Sequence, residues 1–193
     1  SIKKSAIYGY IWGQISHSPM PPGGIIRLNI AQPKAETSLV LHIVLFQPEI
    51  PPNTGNIIRL AANTGTQLHL IKPLGFSIDD KQVKRAGLDY HEVERINLHE
   101  SWEDFRKKNL PGRLFALSTK GKRSYCDVAF QAGDILVFGP ETRGLPAAIL
   151  SSLPQEQVLR IPMRTGSRSL NLSNTAAIVV YEALRQLDFA FGE

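Results

Sequence analysis

From residue 41 onward, short apolar runs alternate with amphipathic stretches along the chain. The runs are rich in Val, Ile, Leu and Phe and are bounded by Gly, Pro, Asn or Asp, which predicts buried strands. Strands are predicted at 41–46, 68–71, 93–98, 113–118, 134–138 and 157–161, and helices at 53–62, 79–87, 101–108, 146–153 and 174–187. This alternation predicts an α/β fold with a mostly parallel sheet and helices on both faces.

Local signals place some helix starts. Three prolines between positions 48 and 52 predict a loop after the first strand, with Asn53 and Thr54 opening the first long helix. Ser101 is predicted to cap the following short helix, because Asp104 stands at the matching capping-box position.

A run crowded with serine and asparagine precedes the last helix. Ser173 or Asn174 is predicted to cap that helix, because a short polar side chain can accept from the free N–H groups of the first turn. Capping then leaves Ser169, Leu170 and Asn171 unexplained. These three residues have the composition of a binding loop.

Residues 1–39 differ from the rest of the chain. Prolines and glycines between positions 19 and 24 break any regular element. Four basic residues against one acidic residue give this segment three of the five net positive charges. We therefore predict an N-terminal extension over 1–39, poorly ordered or non-native, and a single domain over 40–193.

Composition narrows the class of protein. The chain is 42% apolar and 20% charged, which is ordinary for a globular domain. A lone Cys126 excludes an internal disulfide framework and fits a reducing compartment, so a cytoplasmic location is expected. No apolar run approaches the roughly 18 residues of a membrane span.

Four loops follow predicted strands and are the candidates for chemistry. In an open parallel sheet, ligands bind beyond the carboxyl ends of the strands. The four loops are 47–55, 118–122, 139–146 and 162–171, and each contains a glycine that lets the backbone approach a ligand closely.

Common nucleotide and metal signatures are absent from these loops. The segment 139–144 has the glycine spacing of a P-loop, but Leu145 stands where lysine is required. The histidines show no metal-ligand spacing, so no metal is expected. His42 and His69 fall within predicted strands, where a structural role is expected.

Three ordered segments resemble a known family. They are Asn53-Thr-Gly-Asn-Ile-Ile-Arg59, Val137-Phe-Gly-Pro-Glu-Thr-Arg-Gly144, and Ile161-Pro-Met followed by Ser169-Leu-Asn-Leu-Ser173. They look like the three motifs of the SpoU-type branch of the SPOUT RNA methyltransferases. The similarity is greatest to the small single-domain tRNA 2′-O-methyltransferases that modify the wobble nucleotide, and it runs from Val40 to Gly192.

The resemblance implies more than the pattern does. Family members bind S-adenosylmethionine in a C-terminal deep trefoil knot, an exception to the rule that chains do not knot. They are homodimers in which both subunits contribute to each active site, and their substrate here would be the anticodon stem-loop of tRNA. Val40 stands where family members usually begin with Met, which agrees with 1–39 being an upstream extension.

The resemblance also implies a methyl-donor site. It assigns Leu117, Gly139, Ile161 and Ser169 to the donor pocket, with the two apolar side chains on either side of adenine and the glycine leaving room for the ligand. The alternative for Leu117 and Ile161 is plain core packing.

Catalytic roles are implied for four residues. The family places a catalytic arginine at Arg59; because a guanidinium hardly deprotonates, we expect it to hold phosphate and stabilise developing charge. A solvated face or a salt bridge is the alternative. Asn56 would hold loops or substrate, or brace backbone. Glu141 would position substrate or pair with Arg143, and Asn171 would offer a polar group to the ribose.

RNA contacts are expected from Arg164 and Arg168, which flank the last loop, and from Tyr181, which can stack on a base or on the partner subunit. Solvation of the arginines and burial of the tyrosine are the alternatives. The expected activity is wobble-nucleotide ribose methylation of tRNA, either cytidine or modified uridine. A ribosomal RNA ribose methyltransferase and a non-catalytic RNA-binding module are the competing hypotheses.

Overall fold

A computed structural model describes residues 40–76 and 96–190 of the protein. Within them, seven strands and four α-helices are formed. The strands are β1 (His42–Phe46), β2 (Gln67–Ile71), β3 (Ile96–His99), β4 (Leu114–Leu117), β5 (Arg123–Ser124), β6 (Ile135–Phe138) and β7 (Val158–Arg160). The helices are α1 (Pro51–Thr64), α2 (Trp102–Lys107), α3 (Ala147–Ser151) and α4 (Leu172–Gln186).

The predicted strands agree with the observed ones to within a few residues at each end. β5 is a short strand that the apolar pattern did not predict, because neither of its two residues is apolar. The predicted extension over 1–39, the predicted helix over 79–87 and residues 93–95 of the third predicted strand lie outside the described residues.

All described strand pairs are parallel, in the order β3-β2-β1-β6-β4-β7-β5. Alternate residues of each strand face opposite sides, and each side has its own core. On one side, Ile43 and Leu45 pack with α1 and α4. On the other, Val44 and Phe46 pack with α2 and α3. The predicted two-sided α/β architecture is thereby confirmed for the described residues.

Helix α1 begins earlier than predicted. Its first residues are Pro51 and Pro52, and not Asn53. Proline is tolerated there because the first N–H groups of a helix have no partner within it, and two prolines remove two of those donors. The helix ends at Gly65 in the left-handed region, with φ of 67°, as the sequence predicted.

Helix α4 also begins earlier, and its predicted caps are wrong. The N-cap is Asn171, whose Oδ1 accepts from the backbone N–H groups of Ser173 and Asn174 at 2.8 and 3.4 Å. Ser173 and Asn174 lie within the first turn. Short polar residues follow one another here, and only the turn of the chain decides which of them faces the free N–H groups. At α2, by contrast, Ser101 caps as predicted.

The strand order places a ligand site. From β1 the chain builds outward through β2 to β3, and it then returns to the other side of β1, where β6 lies next to it. Connections that leave in opposite directions open a crevice at the carboxyl ends of the central strands. The loops after β1, β6, β4 and β7 meet at this edge.

Three histidines form a row across the sheet, away from those loops. His42 Nδ1 lies 3.1 Å from His69 Nε2, and His69 Nδ1 lies 3.0 Å from His99 Nε2. Burial, aided by the charges of both neighbours, lowers the pKa of His69 to about 3. Both predicted structural histidines therefore take part in a packed, neutral row.

Candidate active site

A cavity of about 510 Å³ opens at the carboxyl ends of β1, β4, β6 and β7. This volume lies within the usual range for a small-molecule site. Its lining comes from the start of α1, from the two segments 117–120 and 138–145, and from Ile161, Met163, Thr175 and the segment 169–172. The four loops named from the sequence therefore all reach one cavity, although they lie far apart along the chain.

The four residues predicted for the donor pocket all line this cavity. Leu117 ends β4 and Ile161 follows the neighbouring β7, so the two apolar side chains arrive from adjacent strands. Leu117 is buried and Ile161 half-buried, so both pack against the core while they line the cavity. Ser169 reaches the cavity from the exposed loop before α4.

Glycine at position 139 is required by the close approach of the loop's own backbone. A Cβ added at this position would lie 2.5 Å from the carbonyl carbon of Gly144 and would also collide with the backbone nitrogen of Leu145. The backbone turns back on itself here, and Gly144 N donates to Pro140 O at 2.9 Å. Any side chain at 139 would push this turn open. The protein's own turn therefore requires glycine at 139, and room for the ligand at this position stays a prediction.

Glu141 holds the loop that follows β1. Its carboxylate accepts from the backbone N–H of Glu49 at 2.9 Å, from that of Ile50 at 3.3 Å, and from Asn53 Nδ2 at 2.9 Å. The suggested pair with Arg143 is wrong, because Arg143 turns to Glu49 instead. The donors that bind the Glu141 carboxylate, two from the backbone and one from a side chain, lie 88 to 92 positions away in sequence, so no local pattern shows these contacts.

Asn53 joins this carboxylate to the last loop. Its Oδ1 accepts from Asn171 Nδ2 at 2.8 Å, while its own Nδ2 donates to Glu141. Asn53 is 5% exposed, so both polar ends of its amide are satisfied inside the protein. Asn171 in turn caps α4. A single hydrogen-bonded chain therefore joins the second and third motifs through the start of α1.

Glu49 adds further hydrogen bonds between the loop after β1 and the loop after β6. Its Oε2 accepts from Thr142 Oγ1 at 2.6 Å and from Thr142 N at 3.1 Å, and its Oε1 lies 3.0 Å from Arg143 Nη1. The hydrogen bond from Thr142, aided by Arg143, lowers the pKa of Glu49 below its ordinary value. The carboxylate is therefore charged at neutral pH.

The remaining predicted residues lie outside the cavity wall. Asn56 and Arg59 are exposed on α1, one and two turns beyond the start of the helix. Arg164 and Arg168 are exposed in the last loop, and neither forms an ion pair within the described part of the chain. Tyr181 is 47% exposed on α4, so burial of its ring within this chain is excluded.

Sequence reasoning missed several residues of the site. Asn53 was placed only as a helix opener, Glu49 was given no role, and Lys120, which lines the cavity from the loop after β4, was not singled out. For Glu49 a signal existed, because a carboxylate flanked by prolines directly after a buried strand lies at the ligand-binding edge. Its partners lie 93 and 94 positions away and could not be named.

Comparison with known proteins agrees with this geometry. The model of the SpoU rRNA Methylase family matches residues 40–181. A tRNA (cytidine(34)-2′-O)-methyltransferase of Methylovorus glucosotrophus (strain SIP3-4) is 62% identical over 151 residues, covering 78% of this chain and 98% of the relative.

Two solved structures are similar over the same region. One, described as structural insights into the 2-OH methylation of C/U34 on tRNA, has a TM-score of 0.70 and 48% identity, covering 77% of this chain and 97% of the other. The SpoU methyltransferase AviRb from Streptomyces viridochromogenes, in complex with the cofactor AdoMet, has a TM-score of 0.66 and 27% identity, covering 78% and 62%. The chain belongs to the SpoU methylase family.

Proposed function

We propose that the protein transfers a methyl group from S-adenosylmethionine to the ribose 2′-hydroxyl of the wobble nucleotide of tRNA, either cytidine or a modified uridine. The observation that carries the proposal is the convergence of all three motifs on one cavity at the carboxyl edge of the sheet. The identity of 62% to a tRNA (cytidine(34)-2′-O)-methyltransferase supports the choice of substrate.

The donor is proposed to lie between the apolar and polar walls of the cavity. Leu117 and Ile161 would contact adenine, and Ser169 would donate to or accept from the donor's polar groups. Gly139 would offer its backbone, because the tight turn leaves no side chain between the peptide and the ligand. AdoMet bound to the related AviRb supports the choice of S-adenosylmethionine as donor.

The reaction is a displacement at the methyl carbon. The ribose oxygen forms a bond to the methyl group as the bond from methyl to sulfur breaks, and the hydroxyl proton is released. The products are S-adenosylhomocysteine and a 2′-O-methylated ribose. The protein's task is to align donor and hydroxyl and to stabilise the charge that develops on oxygen.

Arg59 is proposed to supply that stabilisation by holding an RNA phosphate beside the reacting hydroxyl. Asn56 lies on the same helix and would help to hold the substrate. Glu141 and Asn171 are proposed to act differently from the sequence expectation. Their side chains already form hydrogen bonds within the protein, so they would not contact the ribose through those atoms. They would instead hold the loops of the donor cavity against the start of α1.

RNA binding is proposed for the exposed loop after β7 and for α4. Arg164 and Arg168 would contact anticodon phosphates, and Tyr181 would stack on a base or on a second subunit. We further propose a homodimer, since Tyr181 and Ile178 leave apolar surface on α4 exposed. Sedimentation of wild type and Ile178→Asp tests this: a monomeric wild type, or a variant that stays dimeric, contradicts it.

A deep trefoil knot is proposed for the C-terminal part. The strand order supports it, because β7 is inserted between β4 and β5, both of which precede it in the chain. The chain after β7 then runs back across the cavity to α4. A chain trace in an experimental electron-density map that closes without a knot would contradict the proposal.

The central experiment uses purified protein, S-adenosylmethionine and tRNA from a strain that lacks this modification. We expect one methyl group per accepted tRNA, mapped by mass spectrometry to the ribose of nucleotide 34. Methylation elsewhere in tRNA contradicts the wobble assignment. Donor binding without methylation of any RNA favours the non-catalytic module. A version lacking residues 1–39 is expected to match the full chain in activity.

A ribosomal RNA ribose methyltransferase is the second candidate, favoured by the name of the matched family. The identities favour tRNA. Relatives named tRNA (cytidine(34)-2′-O)-methyltransferase are 55–62% identical to the chain, whereas the AviRb and Sinorhizobium meliloti rRNA methyltransferase structures are 26–27% identical. Competition between ribosomal RNA and tRNA in one assay separates the two candidates.

A further inference from the structure

Two loops beside the cavity each provide a carboxylate that accepts hydrogen bonds from the other loop. The first loop, residues 47–50, follows β1, and the second loop, residues 139–145, follows β6. Glu141 of the second loop accepts from two backbone N–H groups of the first, while Glu49 of the first accepts from Thr142 of the second. We name this two-way arrangement, together with Arg143, the carboxylate clamp.

Glu49 carries one half of the clamp alone. Its carboxylate takes three hydrogen bonds from the second loop: two from Thr142 and one from Arg143. The other guanidinium nitrogen of Arg143 donates to Gln47 Oε1 at 2.7 Å. Hydrogen bonds with a charged partner are the stronger class, and these share one acceptor group.

Apart from the backbone bond from Gly144 N to Pro140 O, the outer turn of the second loop is held by hydrogen bonds to the first loop. Thr142, Arg143 and Gly144 are exposed, and all three line the cavity. The first buried side chain after them is Leu145. Since no apolar packing orders this turn, its shape depends on the hydrogen bonds that reach it, and those to its side chains come from the first loop.

The backbone of the first loop has an unusual conformation at Gln47, next to the clamp. Gln47 has φ of 48°, in the left-handed region that residues other than glycine rarely adopt. This conformation costs free energy and persists only where surrounding contacts impose it. Gln47 accepts from Arg143, so the clamp and the unusual backbone support each other.

We propose that Glu49 is a positioning residue for the methyl donor. It holds Thr142 and Arg143 so that the outer turn of the second loop forms one wall of the donor cavity, and it acts through that turn without touching the reacting atoms. The proposal deepens the methyl-transfer function proposed above and rests on it.

The clamp also assigns Arg143 a structural partner. Its guanidinium bonds Glu49 and Gln47 on one side, so its charge is balanced within the protein. Among the basic residues of the site, Arg143 is therefore expected to act on the donor wall, in contrast to Arg164 and Arg168 of the exposed loop. Losing Glu49 should raise the KM for donor much more than it changes the KM for tRNA.

The test compares Glu49→Ala and Glu49→Gln with Glu100→Ala as a matched control. Glu100 is also a carboxylate, and it forms an exposed 2.7 Å ion pair with Lys72, beyond β2 and β3. Calorimetry measures the Kd of S-adenosylhomocysteine, and steady-state kinetics measure KM for donor and for tRNA. Glu49→Ala is expected to weaken S-adenosylhomocysteine roughly tenfold or more, Glu49→Gln less, and Glu100→Ala less than twofold.

A double-mutant cycle separates positioning from general destabilisation. Thr142→Val removes the hydroxyl that Glu49 accepts from. If the clamp acts as stated, Thr142→Val in the Glu49→Ala background weakens donor binding no further, because the bond is already gone. Full additivity of the two losses would overturn the proposal, as would a Glu49→Ala protein that melts normally and binds S-adenosylhomocysteine within twofold of wild type.

The outcome for wild type keeps the two proposals distinguishable. A wild-type protein that does not bind S-adenosylhomocysteine contradicts the donor assignment itself. A wild type that binds it, beside a Glu49→Ala protein that binds it equally well, contradicts the clamp alone. An increase in the KM for tRNA with an unchanged KM for donor also contradicts the clamp, because it would place Glu49 on the RNA side.

Discussion

Two regions border the cavity, and they differ in how they are held. The carboxylate clamp and the start of α1 are cross-linked by side-chain hydrogen bonds between segments about 90 positions apart. The loop 162–170 is exposed throughout, and its internal backbone bond joins Ser167 N to Arg164 O at 3.1 Å. The first region is preorganised by the chain itself. The second has no side-chain hydrogen bond to another described segment, as expected of a loop that we propose contacts RNA.

The difference suits a two-substrate reaction. A small donor is bound best by a wall that needs no ordering, since ordering costs binding free energy. A large RNA, or a second subunit, can order an exposed loop with many contacts. Asn171 stands at the junction, because it ends the exposed loop, caps α4 and bonds Asn53.

The largest expected effect separates chemistry from donor binding. Arg59→Ala should lower kcat at least a hundredfold, because removing one preorganised charge-stabilising group typically costs about that much. The Kd for S-adenosylhomocysteine should stay within about twofold, since Arg59 lies outside the cavity wall. Single-turnover methylation and calorimetry make the two measurements.

Arg106→Ala is the control for Arg59→Ala, since Arg106 is an exposed arginine on α2, against the opposite face of the sheet. Full activity of Arg59→Ala would remove Arg59 from the mechanism. Equal loss in both variants would indicate an effect of net charge on RNA binding.

Removing the hydrogen bonds of Asn171 should destabilise the protein. Asn171→Ala removes the cap of α4, worth about 1 kcal/mol, and leaves the buried Oδ1 of Asn53 without its donor, worth about 1–3 kcal/mol. We expect a loss of about 2–4 kcal/mol in the free energy of unfolding, measured by urea denaturation.

Asn174→Ala is the matched control for this experiment. The sequence suggests Asn174 as a cap, but in the structure it lies within the first turn and is exposed. Its loss should cost less than about 0.5 kcal/mol. A larger cost for Asn174→Ala than for Asn171→Ala would reverse the assignment of the cap.

Acid should lower the free energy of unfolding through the histidine row of the sheet. The exposed loop 162–170 contains no histidine and no carboxylate, so it should add nothing to this dependence on pH. His69 is neutral in the fold with its pKa at about 3, whereas in the unfolded chain its pKa is near 6.5. The unfolded state therefore gains the proton first, and stability falls as the pH drops below 6.5, by about 2 kcal/mol at pH 5.

Urea denaturation of His69→Leu at both pH values checks this. The variant should have a lower stability at pH 7 but a flatter dependence on pH, because the depressed histidine is gone. An unchanged dependence of stability on pH between pH 7 and pH 5 would mean that His69 is not the source of the acid sensitivity.

The smallest expected effects belong to the exposed loop. Arg164→Ala and Arg168→Ala should each weaken tRNA binding several-fold and reduce its salt dependence, as loss of a phosphate contact does. Donor affinity and unfolding free energy should not change, since neither side chain lines the cavity. Measuring the Kd for tRNA at two salt concentrations tests this, and an unchanged salt slope would assign these arginines to solvent.

Much of the fold follows from local pattern. Buried strands such as β1 and β6 are predictable because short runs of Val, Ile, Leu and Phe favour extended backbone and are stable only when they are shielded from water. Helix starts were less predictable. Pro51 begins α1 and Asn171 caps α4, since a start depends on which neighbouring groups remain free, and that is a property of the assembled chain.

The sequence by itself determined the apolar strands, the three motifs and the family they belong to, because these are carried by residue type and short spacing. Only the tertiary structure decided the strand order, the partners of Glu141 and Glu49, and the use of Asn171 as a cap. The physical reason is distance along the chain. Asn53 and Asn171 lie 118 positions apart, and nothing local to either residue specifies the 2.8 Å bond between them.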